Sequence, residues 1–347
     1  MADILGHREG KVSETPSSLG YRMPAEWEKH AGTWISWPKD PNTFPSGILP
    51  RVEAAYVEMV RALAEGEEVR ILVDDEKGEA RARSQLRRVE QASYLRVRTV
   101  DVWVRDYGPT CVRGKDIALV RWRFNAWGNK YDDLLPDDRS GDALARETGW
   151  RVFRPGIVLE GGSIDVDGTG RVMTTEQCLL NPNRNPDLGR AELEGALKEN
   201  LGADEVVWLK SGIEGDDTDG HIDDIARFVG GRAVAAAVED QVGDPNHEPL
   251  SENLRLLEGH RGDFEVHRIP MPPRMATVDG RLPASHLNFY IGNDAVLVPT
   301  FGGSSDRVAL KELEGAFPSR SIVGVDCRAL VYGLGTLHCV TQQIPAL

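Results

Sequence analysis

One local pattern recurs along this chain and narrows what it can fold into. It reads strand, tight turn, strand, loop, helix, strand. Gly108 to Phe124 opens the first copy, Gly161 to Thr175 the second, His221 to Val238 the third and Leu287 to Val298 the fourth. Glycine with asparagine or aspartate between two alternating runs is a hairpin signal, seen here at Gly292-Asn293-Asp294. A helix should follow each hairpin, at about 141–147, 189–201, 249–260 and 306–316. In the second of these, Leu193, Leu197 and Leu201 share one face. A strand should follow each helix, at about 150–154, 204–209, 264–269 and 321–325.

The stretch before the first copy supplies the rest of a unit. His30 to Trp37 reads as a strand ended by Pro38. Val52, Tyr56, Met59, Val60 and Leu63 fall at helical spacing, with Gly66 closing the helix. Val69 to Val73 is a short apolar strand. A charged helix follows at about 78–90, then a strand through Val97 to Val104. The missing hairpin has its halves at the two ends of the sequence. If Leu337 to Gln343 pairs with Ala31 to Trp37, five units close into a ring with no free sheet edge. The alternative is an ordinary open α/β sheet.

Composition narrows the partners. Of 347 residues, 40% are apolar, enough for a substantial core. Residues 1–22 read as a flexible polar tail and 23–347 as one catalytic domain. The net charge of −14 argues against duplex nucleic acid and favours a cationic ligand. The amino end lacks an apolar signal core, and no run of 18 apolar residues suggests a membrane span. Cys111, Cys178, Cys327 and Cys339 show neither metal-type spacing nor a disulfide framework, which suits a cytoplasmic protein.

The reactive residues fall at one place in the repeat. Asp106 lies two residues before the first hairpin, and Glu160 immediately precedes the second. His221 and Asp223 open the third, and Cys339 opens the half-hairpin at the carboxyl end. In a ring, those edges converge on one cavity. Two carboxylates can grip a planar guanidinium. A thiolate can attack its carbon, a histidine can move the protons, and a third carboxylate can orient that histidine. The ligand set is a poor one for a metal. Taken singly, each has a bland alternative. Asp106 can pair with Arg105, Glu160 can cap a turn, His221 can be a core histidine, and Asp223 can be a turn acid. His338 adjoins Cys339, but neighbouring strand residues face opposite ways, so a structural role is expected for it.

Six segments together resemble the agmatine deiminase family, which includes bacterial peptidyl-arginine deiminases of the same type. They are Met23-Pro24-Ala25-Glu26-Trp27, Trp103 to Pro109, Leu159 to Ser163, Cys178 to Pro186, Asp217 to Asp223 and His338 to Gln343. The resemblance spans about 22–345. It implies a pentein fold, a five-bladed α/β propeller, and hydrolysis of a guanidine to a urea and ammonia without metal or organic cofactor. By the same resemblance Cys339 is the nucleophile, His221 the acid/base and Glu160 its support. Asp106 and Asp223 are the guanidinium clamp, and Trp103 and Asp217 line the substrate site. Asp217 stands where many members have glutamate, Tyr107 replaces a threonine, and Leu334 and Thr336 depart from a glycine-rich approach to the cysteine. The substrate implied is agmatine. Alternatives are another guanidine such as free or peptidyl arginine, an amidinotransferase, or a non-enzymatic pentein that only binds. A ring also offers an outer surface for a homodimer or higher homo-oligomer, though no stretch specifies one.

Overall fold

Each expected hairpin forms, and each is followed by a helix and a strand that returns parallel to the hairpin's second strand. The computed structural model describes residues 14–260 and 264–347. Thr110–Arg113 and Ile117–Val120 pair antiparallel; helix Asp137–Thr148 then leads to Arg151–Phe153, parallel to the second strand. The second unit is Asp165–Val166, Arg171–Thr175, helix Arg190–Leu201 and Glu205–Leu209. The third is Ala226–Gly230, Ala233–Val238, helix His247–Gly259 and Glu265–Pro270. The fourth is Tyr290–Ile291, Ala295–Thr300, helix Ser304–Ala316 and Ser321–Asp326. A parallel return needs a long crossover, and a helix shields the sheet face along the way. Leu193, Leu197 and Leu201 show how: all three are buried beneath the second sheet's helix. Truncating Leu197 to alanine should cost about 2–5 kcal/mol.

The fifth unit is made from both ends of the sequence. Thr341–Pro345 pairs antiparallel with His30–Ser36, with Thr341 opposite Ile35 and Gln343 opposite Thr33. Helix Leu49–Leu63 then returns the chain to Glu68–Val73, parallel to His30–Ser36. A further helix, Glu76–Gln85, leads to a fourth strand, Ala92–Arg96. The open-sheet alternative is thereby excluded, because among the described residues the units form five separate sheets of three or four strands, beside one two-stranded ribbon (Ala276–Thr277 with Gly280–Arg281), and the first is completed by the carboxyl-terminal strand.

Two expectations need correction. Val97 to Val104 is not a strand; the strand ends at Arg96 and the next element is the short helix Val104–Tyr107. The cause is side-chain competition for the backbone. Asp137 accepts from the Val100 and Asp101 amides at 2.6 and 2.9 Å, and Asp74 accepts from Thr99 at 3.1 Å. Part of the expected tail also has a definite place. Residues 1–13 of it lie outside the described residues, but Tyr21 is buried and Arg22 bridges to Arg113. Among the described residues, no helix is long and apolar enough to cross a membrane.

Candidate active site

The inner ends of the units meet. Val104–Tyr107 packs on Gly161–Ser163, which packs on Ile222–Asp224. The Arg105 amide reaches the Cys339 carbonyl at 3.3 Å. Asp106, Glu160, His221, Asp223 and Cys339 are thus gathered from four units, and each is buried. Gly162 is the pivot of this cluster. A β-carbon there would stand 2.6 Å from His221 Nδ1 and 3.0 Å from carboxylate oxygens of both Asp106 and Asp223. Only a bare backbone fits among the three.

Asp106 is held by two donors. The Gly162 amide reaches Oδ1 at 2.9 Å and the Trp127 indole N–H reaches Oδ2 at 3.0 Å. Burial and the nearby Asp223 and Glu160 charges raise its pKa to about 6, against the pull of His221. Trp127 is presented by four successive residues in the left-handed region, Ala126 to Asn129, with φ of 51°, 53°, 88° and 61°. Three of the four are not glycine, so the turn is strained. Asn125 holds it, accepting from the Gly128 amide and donating to the Asn183 carbonyl, both at 2.9 Å.

His221 lies between two acids. Nδ1 is 3.9 Å from Asp106 and Nε2 is 3.9 Å from Glu160, ion-pair contacts too long for hydrogen bonds. Nε2 has no hydrogen-bond partner among the described residues. Burial favours the neutral ring, but Asp106, Cys178 and Glu160 together hold the pKa well above the usual histidine range. Glu160 does not cap its turn; its carboxylate takes Arg184 Nε at 3.1 Å. Burial opposes its ionisation, yet Arg184 and His221 hold its pKa below the usual value. Glu160, Cys178 and His221 also bring an oxygen, a sulfur and a nitrogen within 4.8 Å of one another. Arg184 already occupies Glu160 there, and a protonated His221 has no nitrogen lone pair to offer a metal ion.

Cys339 lies in a turn, since the last strand starts only at Thr341. Strand alternation therefore does not apply to His338 and Cys339, and both face Asp223. Asp223 Oδ2 accepts from His338 Nδ1 at 2.7 Å and stands 3.8 Å from Cys339 Sγ. Asp223 Oδ1 has no partner among the described residues. Burial would raise the Asp223 pKa, but His338, then His221 and Arg227, hold it low. The thiol behaves oppositely. Burial first, then the Asp223 charge and the acids Asp224 and Asp106 beside it, push its pKa well up, which favours the thiol over the thiolate.

A cavity of about 210 Å³ opens onto this cluster. Its wall includes Cys339, Asp106, Trp103 and Asp217, whereas His221, Glu160 and Asp223 lie one layer behind. Trp103 donates its indole N–H to Asp101 at 2.8 Å and crowds Gly335, where a β-carbon would stand 2.6 Å from the ring. Asp217 accepts from the Tyr131 hydroxyl. Burial raises its pKa.

Sequence reasoning missed Trp127, which holds Asp106, and two further residues of this site. Asn288 organises the cysteine turn: its amide contacts Cys339 Sγ at 3.1 Å, and its Oδ1 accepts from Thr336 at 2.8 Å and the His338 amide at 3.0 Å. It opens the fourth hairpin, so the same repeat logic would have found it. Glu26 sits behind His338, and its signal was its place in the Met23 to Trp27 segment. Arg105 does not pair with Asp106; it reaches Gln343 at 2.7 Å and Glu26 at 3.4 Å.

A ring of α/β units with a cysteine, a histidine and three acids at its centre defines a guanidine-modifying hydrolase of pentein fold. Residues 22–345 match the Porphyromonas-type peptidyl-arginine deiminase family, and the chain belongs to it. It is 38% identical to the agmatine deiminase of Ectopseudomonas mendocina, over 96% of this chain and 98% of that protein. The structure of Enterococcus faecalis agmatine deiminase superposes with a TM-score of 0.90 at 33% identity, covering 96% of this chain and 98% of that one. A substrate-bound Cys→Ser variant of C. jejuni agmatine deiminase gives 0.86 at 29% identity, covering 94% and 96%.

Proposed function

We propose that this protein hydrolyses agmatine to N-carbamoylputrescine and ammonia through a covalent thiouronium on Cys339. The cavity wall carries the reading. It holds Cys339 and four aspartates (Asp101, Asp106, Asp133 and Asp217) and no lysine or arginine. Agmatine is a dication and suits such a wall. Free arginine would bring a carboxylate among those acids, and the cation beside Asp217, Lys130, is already paired with Asp219 at 2.7 Å. The relatives' activity on agmatine points the same way.

In this mechanism Asp106 and the free Oδ1 of Asp223 take the guanidinium edges, so the substrate reaches one layer deeper than the cavity floor. Its positive charge offsets the carboxylates around Cys339, and the thiol proton leaves for solvent. The thiolate attacks the central carbon. Imidazolium His221 gives its proton to the departing nitrogen, and ammonia leaves behind an S-alkylthiouronium. Neutral His221 then takes a proton from water as the oxygen attacks. The carbon–sulfur bond breaks and the urea is released. The urea's remaining extra proton goes to the thiolate, restoring the thiol. Glu160, tied to Arg184, holds the imidazolium in place.

The catalytic unit is residues 23–347. The four cysteines are buried free thiols, which supports a cytoplasmic setting. The acidic net charge supports a small cationic partner rather than nucleic acid. The test is ammonia release from agmatine, arginine and a peptide with a carboxyl-terminal arginine, compared by kcat/KM. Agmatine should lead, and Cys339→Ala should abolish turnover. A preference for arginine, or an active Cys339→Ala, would overturn the reading.

A further inference from the structure

Glu26, His338 and Asp223 form a buried chain of carboxylate, imidazole and carboxylate. His338 Nδ1 stands 2.7 Å from Asp223 Oδ2, and Nε2 stands 2.9 Å from Glu26 Oε2. None of the three is more than 4% exposed. A ring between two ionised carboxylates donates to both only when both nitrogens carry hydrogen. Glu26 is anchored in turn. Its Oε1 accepts from Arg227 and from the Ile291 amide, at 2.9 and 2.8 Å. Arg105 Nη2 lies 3.4 Å from Oε2, and Asp165 sits 3.5 Å from Arg227.

The neighbouring acid gives the contrast. Asp224 is also buried, but among the described residues its side chain's one hydrogen-bond partner is an amide, Asn288 Nδ2 at 3.1 Å. Burial, then the Asp223 charge, raises the Asp224 pKa well above its ordinary value, while that of Asp223 is lowered. Of two adjacent acids, the one touching His338 keeps its charge.

We propose that His338, oriented by Glu26, is the positioning residue that selects Asp223 over Asp224 as the charged acid and leaves Oδ1 free for a guanidinium. It binds Oδ2, which stands 3.8 Å from the thiol, so the other oxygen stays open. This inference rests on the deiminase reading of the same site.

The experiment uses Cys339→Ala as parent, so that agmatine binds without turnover. His338→Asn, His338→Gln and His338→Leu are added singly, with a calorimetric Kd and a melting temperature for each. The asparagine amide nitrogen falls near Nδ1 and keeps a donor for Asp223. The glutamine amide nitrogen falls near Nε2 and keeps one for Glu26. Leucine keeps neither. Glutamine and leucine should weaken binding on the order of tenfold to hundredfold, and asparagine clearly less, by the usual worth of a charged hydrogen bond. A purely structural histidine predicts instead that Kd follows melting temperature, with asparagine no better than glutamine. That result, or unchanged Kd in all three, overturns the proposal alone. A parent that does not bind agmatine overturns the deiminase reading together with it.

Discussion

The Trp127 indole N–H donates to Asp106 at 3.0 Å from a turn strained into the left-handed region. Losing a donor to a buried carboxylate costs about 1.5–3 kcal/mol. Trp127→Phe should therefore keep the aromatic wall and lower kcat/KM by about tenfold or more. Steady-state kinetics at fixed pH decide it. An unchanged kcat/KM would show that the bond does nothing for the clamp.

Asp106 also sets a pH dependence. In the proposed mechanism its carboxyl must be ionised to hold a guanidinium, and burial, with the Asp223 and Glu160 charges and against the pull of His221, raises its pKa to about 6. Activity in kcat/KM should fall as pH drops through about 6. Stability should move the other way. A carboxyl whose folded pKa exceeds the ordinary 3.8 binds its proton more tightly when folded, so between those values protonation stabilises the fold. Asp101, Asp137 and Asp165 are raised to about 6 by burial as well. Melting temperature should hold or rise from pH 7.5 to 5.5 while activity falls. A parallel loss of both would mean that acid unfolding, rather than Asp106, limits the enzyme.

Gly162→Ala should be far more damaging than one methyl group suggests. The added carbon would press on His221, Asp106 and Asp223 at 2.6–3.0 Å, and a small displacement of catalytic groups is costly. A loss of about a hundredfold in kcat is expected, with the protein still folded by circular dichroism. Wild-type kcat in this variant would show that the cluster is looser than its geometry.

Asp217 should act on the substrate's tail alone. Asp217→Asn should raise KM for agmatine by about tenfold and leave kcat close to wild type, as expected for a charged contact made equally in ground and transition states. Propylguanidine, which lacks the ammonium, should be processed equally by both proteins. An equal loss on both substrates would place Asp217 in support of the fold, through Tyr131.

Much of this was legible in the sequence because the repeat is written in local signals. Hairpin turns and leucine spacing fix each unit, and the same edge of each unit carries Asp106, Glu160, His221 and Cys339. What escaped were long-range polar contacts. Nothing near Val100 announces that Asp137 will take its amide, so alternating Val97 to Val104 looked like a strand. Nothing near His338 announces Glu26, more than three hundred residues earlier in the chain and 2.9 Å away. Asn288 was within reach, since it opens a hairpin as His221 does, but an uncharged residue draws no notice in a search for titratable groups.

The pairing of Thr341–Pro345 with His30–Ser36 also sets an order of events during synthesis. The ribosome makes almost all of the ring before it makes Cys339. Until then the first sheet lacks its closing strand, and Asp106 and Asp223 stand without the cysteine proposed as the nucleophile. A nascent chain thus carries the acids proposed to bind the guanidinium without the cysteine proposed to react. The stretch that closes the first sheet is also the one that brings in the proposed nucleophile.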